Sequence, residues 1–123
     1  MKIRSHKDLN VFKDSFDLAI QIHQLSKGFP QEEKYSLTDQ VRRSSRSVAA
    51  NVTEAFRKRR YPKSFISKLS ESEGEAAETQ VWLYFALSFG YLDEVTVQGL
   101  DEKYEQIERQ IITMIQSPEK WST

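Results

Sequence analysis

The sequence predicts an all-α protein, an antiparallel up-down four-helix bundle. Three observations lead there. Only three prolines, Pro30, Pro62 and Pro118, punctuate 123 residues, and proline breaks helix interiors but suits their first turns and the residues beyond their ends. The stretches between them are rich in Leu, Ala, Glu, Lys, Gln and Arg, with little strand-like alternation. Their apolar residues recur at spacings of three and four, the period of one helix face. Four helices joined by short links pack as antiparallel neighbours. At this length, residues 1–123 form one domain with a modest core.

The first helix is predicted over about 8–27, with Asp8 as N-cap and Gly28 as the stop. It carries two apolar faces, nearly opposite: Leu9, Phe12, Phe16, Ile20 and His23 on one, Val11, Leu18, Ile22 and Leu25 on the other. The second helix is expected over 36–60. Its core stripe is Leu37, Val41, Ser44, Val48, Val52 and Ala55. The third, over 62–89, starts at Pro62, a favoured first-turn residue, and stops before Gly90. Phe65, Leu69, Ser72, Ala76, Leu83 and Leu87 form its main stripe. The fourth, over 94–117, places Val97, Leu100, Tyr104, Ile107, Ile111 and Met114 on one face. Beyond Pro118 a tail remains, with Trp121 able to dock on the bundle.

The second helix holds the strongest charge signal. Between Arg42 and Arg60 lie seven cations (Arg42, Arg43, Arg46, Arg57, Lys58, Arg59 and Arg60) and one carboxylate, Glu54. The formal net charge is zero, yet residues 1–63 carry 14 basic and 7 acidic side chains, net +7, and residues 64–123 carry 4 and 11, net −7. Such an asymmetry points to an interaction surface. The counter-charge can come from a polyanion, from the acidic half of the same chain, or from a neighbouring copy. Arg42, Arg46, Arg57 and Arg60 share the outward side of an unbroken helix. Nothing indicates base reading, so nucleic-acid binding here would follow shape and backbone.

Apolar surface exceeds what one small bundle hides. Val81 to Leu87 is apolar or aromatic all round the third helix, and Trp82, Phe85 and Phe89 point away from its main stripe. A helix apolar on every side is normally buried on every side. Val81, Trp82, Phe85 and Phe89 are therefore expected at a contact between copies; the alternative is that Trp82 and Phe85 pack beneath the Pro30–Tyr35 loop or the tail. Ala49, Ala50 and Thr53, opposite the core stripe of the second helix, allow close approach of another helix or a polyanion. Gln40, Asn51, Thr79 and Gln80 fall on or near core arcs. They are expected to form a polar network fixing the register of helices two and three.

The chemistry of an enzyme is missing. There is no cysteine, hence no disulfide, thiolate ligand or cysteine nucleophile. His6 and His23 sit in no metal motif, and Glu71, Glu73, Glu75 and Glu78 lack the histidine partners of a bundle metal site. No phosphate loop or hydrolase elbow occurs. No catalytic residue, metal, cofactor or small-molecule substrate is expected. No apolar run approaches a membrane span, and the opening residues do not form a signal peptide, so a cytoplasmic protein is expected.

The run LTDQVRRSSRSVAANVTEAF at 37–56 resembles the bacterial four helix bundle proteins, also called 23S ribosomal RNA intervening-sequence proteins. So do DLNVF at 8–12, FPQEEKYSL at 29–37, FISKL at 65–69, and the segment through Glu78 and Thr79 to Gly90, Tyr91 and Leu92. The likeness spans nearly the whole chain. It departs at Ala55, where many members have glycine. The resemblance implies a cytoplasmic homopentameric barrel of largely unknown role. It also extends to the accessory variability determinants of diversity-generating retroelements, basic pentamers that work with a reverse transcriptase and nucleic acid. By that analogy Arg42, Arg43, Arg46 and the Arg57–Arg60 cluster would be the polyanion contacts. The leading expectation is a non-enzymatic, oligomeric nucleic-acid accessory protein, with RNA favoured. The alternative is a protein-interaction scaffold whose arginines pair with helix three or with the next subunit.

Overall fold

A computed structural model of the chain describes residues 3–121. Four α-helices span Asn10–Ser26 (α1), Leu37–Arg57 (α2), Pro62–Ser88 (α3) and Glu94–Gln116 (α4), with single 3₁₀ turns at His6–Asp8, Gln31–Glu33 and Pro118–Lys120. Each helix packs on its sequence neighbour, and α1 closes more loosely on α4. The α1–α2 and α3–α4 connections lie at one end, where the Tyr91 hydroxyl donates to Glu33 Oε2 at 2.9 Å. Leu9 and Trp121 line one crevice at the other end. The helices therefore alternate in direction.

The stripes of α2 and α4 are buried along their whole length, including Leu37, Val41, Ser44, Val48, Val52 and Ala55 and all six α4 positions from Val97 to Met114. In α3, Thr79 and Ala86 join the buried stripe while Leu87 is half-buried. For α1 the bundle buries the Val11, Leu18 and Ile22 face, while Leu9 is buried and Phe12 partly buried from the other face at the N-terminal end. Phe16 and Ile20 remain 50% exposed.

Local chemistry sets the ends. Asp8 is not the N-cap of α1. It closes the preceding 3₁₀ turn, and Leu9 caps α1 without a side-chain bond. Asp93 caps α4, accepting from the Thr96 N–H at 2.8 Å. Gly90 takes φ +81°, and the N–H groups of Gly90 and Tyr91 donate to the Leu87 and Ala86 carbonyls. That is a Schellman ending, which favours glycine at its left-handed residue. It aims Tyr91 at Glu33. The Glu33 carboxylate also accepts from Ser36 Oγ at 2.6 Å and from the Leu37 N–H at 3.3 Å, so it serves the α2 N-terminus that Ser36 leaves without a side-chain cap. These bonds, Ser36 first, hold its carboxyl below the ordinary value.

Of the polar residues expected to hold the α2–α3 register, Thr79 does so, together with the hydroxyls of Ser44 and Ser72. Thr79 Oγ1 pairs with Ser44 Oγ at 2.8 Å, and Ser72 donates to the Val48 carbonyl at 2.8 Å, all buried. Asn51 instead donates within its own helix, to the Ser47 carbonyl and hydroxyl. Gln80 turns to α4, donating to Asp101 and Glu105. Gln40 joins no such network among the described residues. Hydroxyls fit between closely packed helices; longer amides are displaced to the edges.

Candidate nucleic-acid interface

α2 ends at Arg57, not Arg60, because two effects stop it. The residue before Pro62 is biased away from helical backbone, and Arg59 closes the helix end itself. Its guanidinium donates to the Phe56 carbonyl at 3.0 Å, which also accepts the Arg59 N–H at 3.2 Å, and stacks over the Phe56 ring at 4.0 Å. Arg60 therefore lies in the turn beyond the helix, and its direction is not set by helical periodicity. Arg57, Lys58 and Arg60 are exposed. Among the described residues none of these three makes an ion pair.

The upstream arginines are anchored. Arg42 Nε donates to Ser26 Oγ at 2.7 Å, and that hydroxyl donates to the His23 carbonyl at 3.0 Å. Arg46 Nη2 lies 3.1 Å from His23 Nδ1. An arginine only donates, so Nδ1 accepts and the imidazole is neutral with its proton on Nε2. Desolvation, then the charges of Arg42, Lys27 and Arg46, lowers the His23 pKa. Arg43 meets Asp39 one turn back at 3.7 Å, both exposed; such a pair contributes little.

Helix periodicity gathers Arg42, Arg46, Ala49, Ala50, Thr53 and Arg57 into one stripe of α2. Arg46, Ala49, Ala50 and Thr53 of that stripe wall an open groove of about 510 Å³, lined also by Phe12, Phe16, Ala19, Ile20 and His23. Ala49 is buried in that wall, Ala50 is exposed, and the Thr53 hydroxyl donates to the Ala49 carbonyl. The sequence pointed to this region through the second apolar face of α1 and through the small residues Ala49, Ala50 and Thr53 of α2; the anchoring roles of Ser26 and His23 had no sequence signal.

The acidic half faces elsewhere. Among the described residues no arginine of α2 is ion-paired to a carboxylate of α3; the one bridge between these helices runs from Lys68 of α3 to Glu54 of α2 at 3.0 Å. Glu75 feels Arg43, yet burial and Glu78 outweigh it and raise its pKa. Between α3 and α4, Glu108 is pushed up to about 7 by burial first, then by Glu105, Glu73 and Asp101, and its Oε2 has no hydrogen-bond partner among the described residues. No three metal-ligating side chains converge among the described residues.

Glu108 gives a pH prediction. Its folded-state carboxyl holds the proton more tightly than the unfolded chain does. Stability therefore falls as pH rises from the ordinary carboxylate value through about 7, and levels off above. The carboxyl is partly solvated, and screening reduces the effect to about 1 kcal/mol. Glu108→Gln is expected to gain about that much above pH ~8 and nothing below pH ~5, read from urea unfolding midpoints. Equal midpoints at high pH would assign the titration elsewhere.

The aromatic surface of α3 is partly covered. Rings run from Trp82 through Phe85, Phe89 and Tyr91 to Phe29 at centroid spacings of 5.5–6.0 Å. The α1–α2 connection thus reaches Tyr91, but Val81, Phe85 and Phe89 stay 45–55% exposed. Trp82 is half-buried, with Nε1 unpartnered among the described residues. Trp121 packs at the edge of the core. No helix among the described residues is long and apolar enough to cross a membrane.

Comparison with known proteins follows the same lines. A solved structure from Bacteroides thetaiotaomicron, described as a protein of unknown function from the S23 ribosomal protein family, is similar at a TM-score of 0.77 and 28% identity, covering 86% of this chain and 95% of that one. No curated protein matches. The description that fits over residues 7–113 is "23S rRNA-intervening sequence protein". With four packed helices and that match over most of its length, the chain belongs to the 23S rRNA-intervening sequence protein family.

Proposed function

We propose that this chain is a non-enzymatic accessory protein of the cytoplasm that self-assembles, as a pentamer by its family likeness, and binds nucleic acid through the basic face of α2. RNA is favoured over DNA, in keeping with a family named for a ribosomal RNA sequence. The observation that carries the reading is the cluster Arg57, Lys58 and Arg60: three cations at one helix end, exposed, with no ion pair among the described residues. Assembly would set such clusters side by side and raise avidity without new contacts.

Fluorescence titration with a structured RNA tests it. Micromolar or tighter binding is expected at ~50 mM salt, weakening steeply as salt rises, because each neutralised phosphate releases a counterion. No binding at ~50 mM salt rejects the reading.

One observation favours a second reading, the interaction scaffold. Glu73, Asp101, Glu105 and Glu108 crowd one another without a cation paired to them among the described residues. A neighbouring copy's arginines would relieve that crowding. In that case assembly, rather than RNA binding, would be lost at high salt.

A further inference from the structure

The basic stripe of α2 borders apolar surface on its α1 side. The α1–α2 groove is walled by Phe16 and Ile20, each 50% exposed, with Ala49 and Ala50 opposite. A patch that only neutralises phosphates has no use for exposed aromatic surface. At about 510 Å³ the groove falls within the range of small-ligand sites, roughly 300–1,000 Å³.

Its rim is cationic and held in place. Arg46, the arginine that lines the groove, is held by its hydrogen bond to His23 Nδ1. No acidic residue lines the groove. The α1 carboxylates Asp14 and Asp17 line the crevice on the α4 side instead. The positive field is strong enough to help depress the His23 pKa. The occupant must therefore be flat and apolar in one part and anionic in another.

The exposed stripe of a second copy's α3 meets only half of that requirement. From Thr79 to Leu92 the chain has no Asp or Glu, so docking Val81, Phe85 and Phe89 in the groove would bring no charge to Arg46. A stacked duplex has phosphates but no free base face. An unpaired nucleotide has both, and aromatic side chains with arginine are the usual means of holding splayed bases.

Resting on the nucleic-acid reading above, we infer that the α1–α2 groove takes one unpaired nucleotide, its base against Phe16 and the alanine wall and its phosphate on Arg46. The preference this creates is for looped or single-stranded RNA, and it is independent of base identity because every base has a π-face.

The test compares a fluorescein-labelled oligouridylate with an abasic strand of the same backbone length. The base-bearing strand is expected to bind about tenfold more tightly. Phe16→Ala should erase that difference, and Phe16→Tyr should keep it. Arg46→Gln should weaken both strands. Equal affinity of the two strands for the parent protein overturns the inference while leaving backbone binding intact. Failure of both strands and of structured RNA at ~50 mM salt removes the nucleic-acid reading itself. A change in sedimentation of the free protein on Phe16→Ala would make the groove a contact between copies and also overturn it. Since Phe16 is half exposed, the thermal melt of the variant should match the parent and exclude misfolding.

Discussion

Under the self-assembly proposed above, glutamate at Phe85 is expected to give folded 14.4 kDa monomers. The separation of the two effects follows from where Phe85 sits. In the single chain it is 45% exposed, and among the described residues its ring stacks only on Trp82 and Phe89 of the same helix, so a charge there reaches water and lowers monomer stability by about 1 kcal/mol. At a contact between copies the same carboxylate would be desolvated without a partner. That costs about 3–5 kcal/mol per contact, beyond what the lost aromatic contributed. Sedimentation velocity should show the mass fall, with the urea midpoint of the monomer only slightly lowered. A parent protein that sediments as a monomer, or a Phe85→Glu variant of parental mass, would remove the aromatic stripe from the assembly. Trp82 provides a second readout. It lies 6.0 Å from Phe85, and its fluorescence should become more accessible to quencher as the stripe is uncovered.

The second large effect concerns Arg57, Lys58 and Arg60. Reversing all three to glutamate is expected to weaken RNA binding on the order of a hundredfold. The slope of log affinity against log salt should fall by about 2, since each lost contact to a single strand accounts for ~0.7. The fold should persist, as these side chains are exposed and make no ion pair among the described residues. Acids in the last helical turn oppose its dipole by about 0.5 kcal/mol each. Arg59 is left in place because it closes α2 on the Phe56 carbonyl. Unchanged RNA affinity would move the interface away from this cluster. Loss of assembly with RNA affinity unchanged would favour the scaffold reading, in which these cations meet a neighbour's carboxylates.

Two parts of the molecule show how far residue patterns reach. In α2 and α4 the six-residue stripes are buried as their spacing requires, because each helix has only one apolar arc and one way to satisfy it. Proline at Pro62, glycine at Gly90 and aspartate at Asp93 act at helix ends through backbone chemistry local to a few residues. Asp8 misled because a one-turn helix intervenes before α1. The α2 end misled because Arg59 folds back on Phe56, an interaction with no periodic signature.

The sequence by itself determined the all-α class, the four helices and their order, the buried faces of α2 and α4, and the split of charge between the two halves. These follow from periodicity and composition, which act locally. Only the tertiary structure decided which of the two α1 faces enters the core, that Ser44, Ser72 and Thr79 rather than Asn51 and Gln80 join α2 to α3, and that His23 holds Arg46 at the rim of an open groove while Ser26 holds Arg42. Those choices depend on how close two helices come and on which side chains then meet, and distance between elements is not encoded in the spacing of residues along one of them.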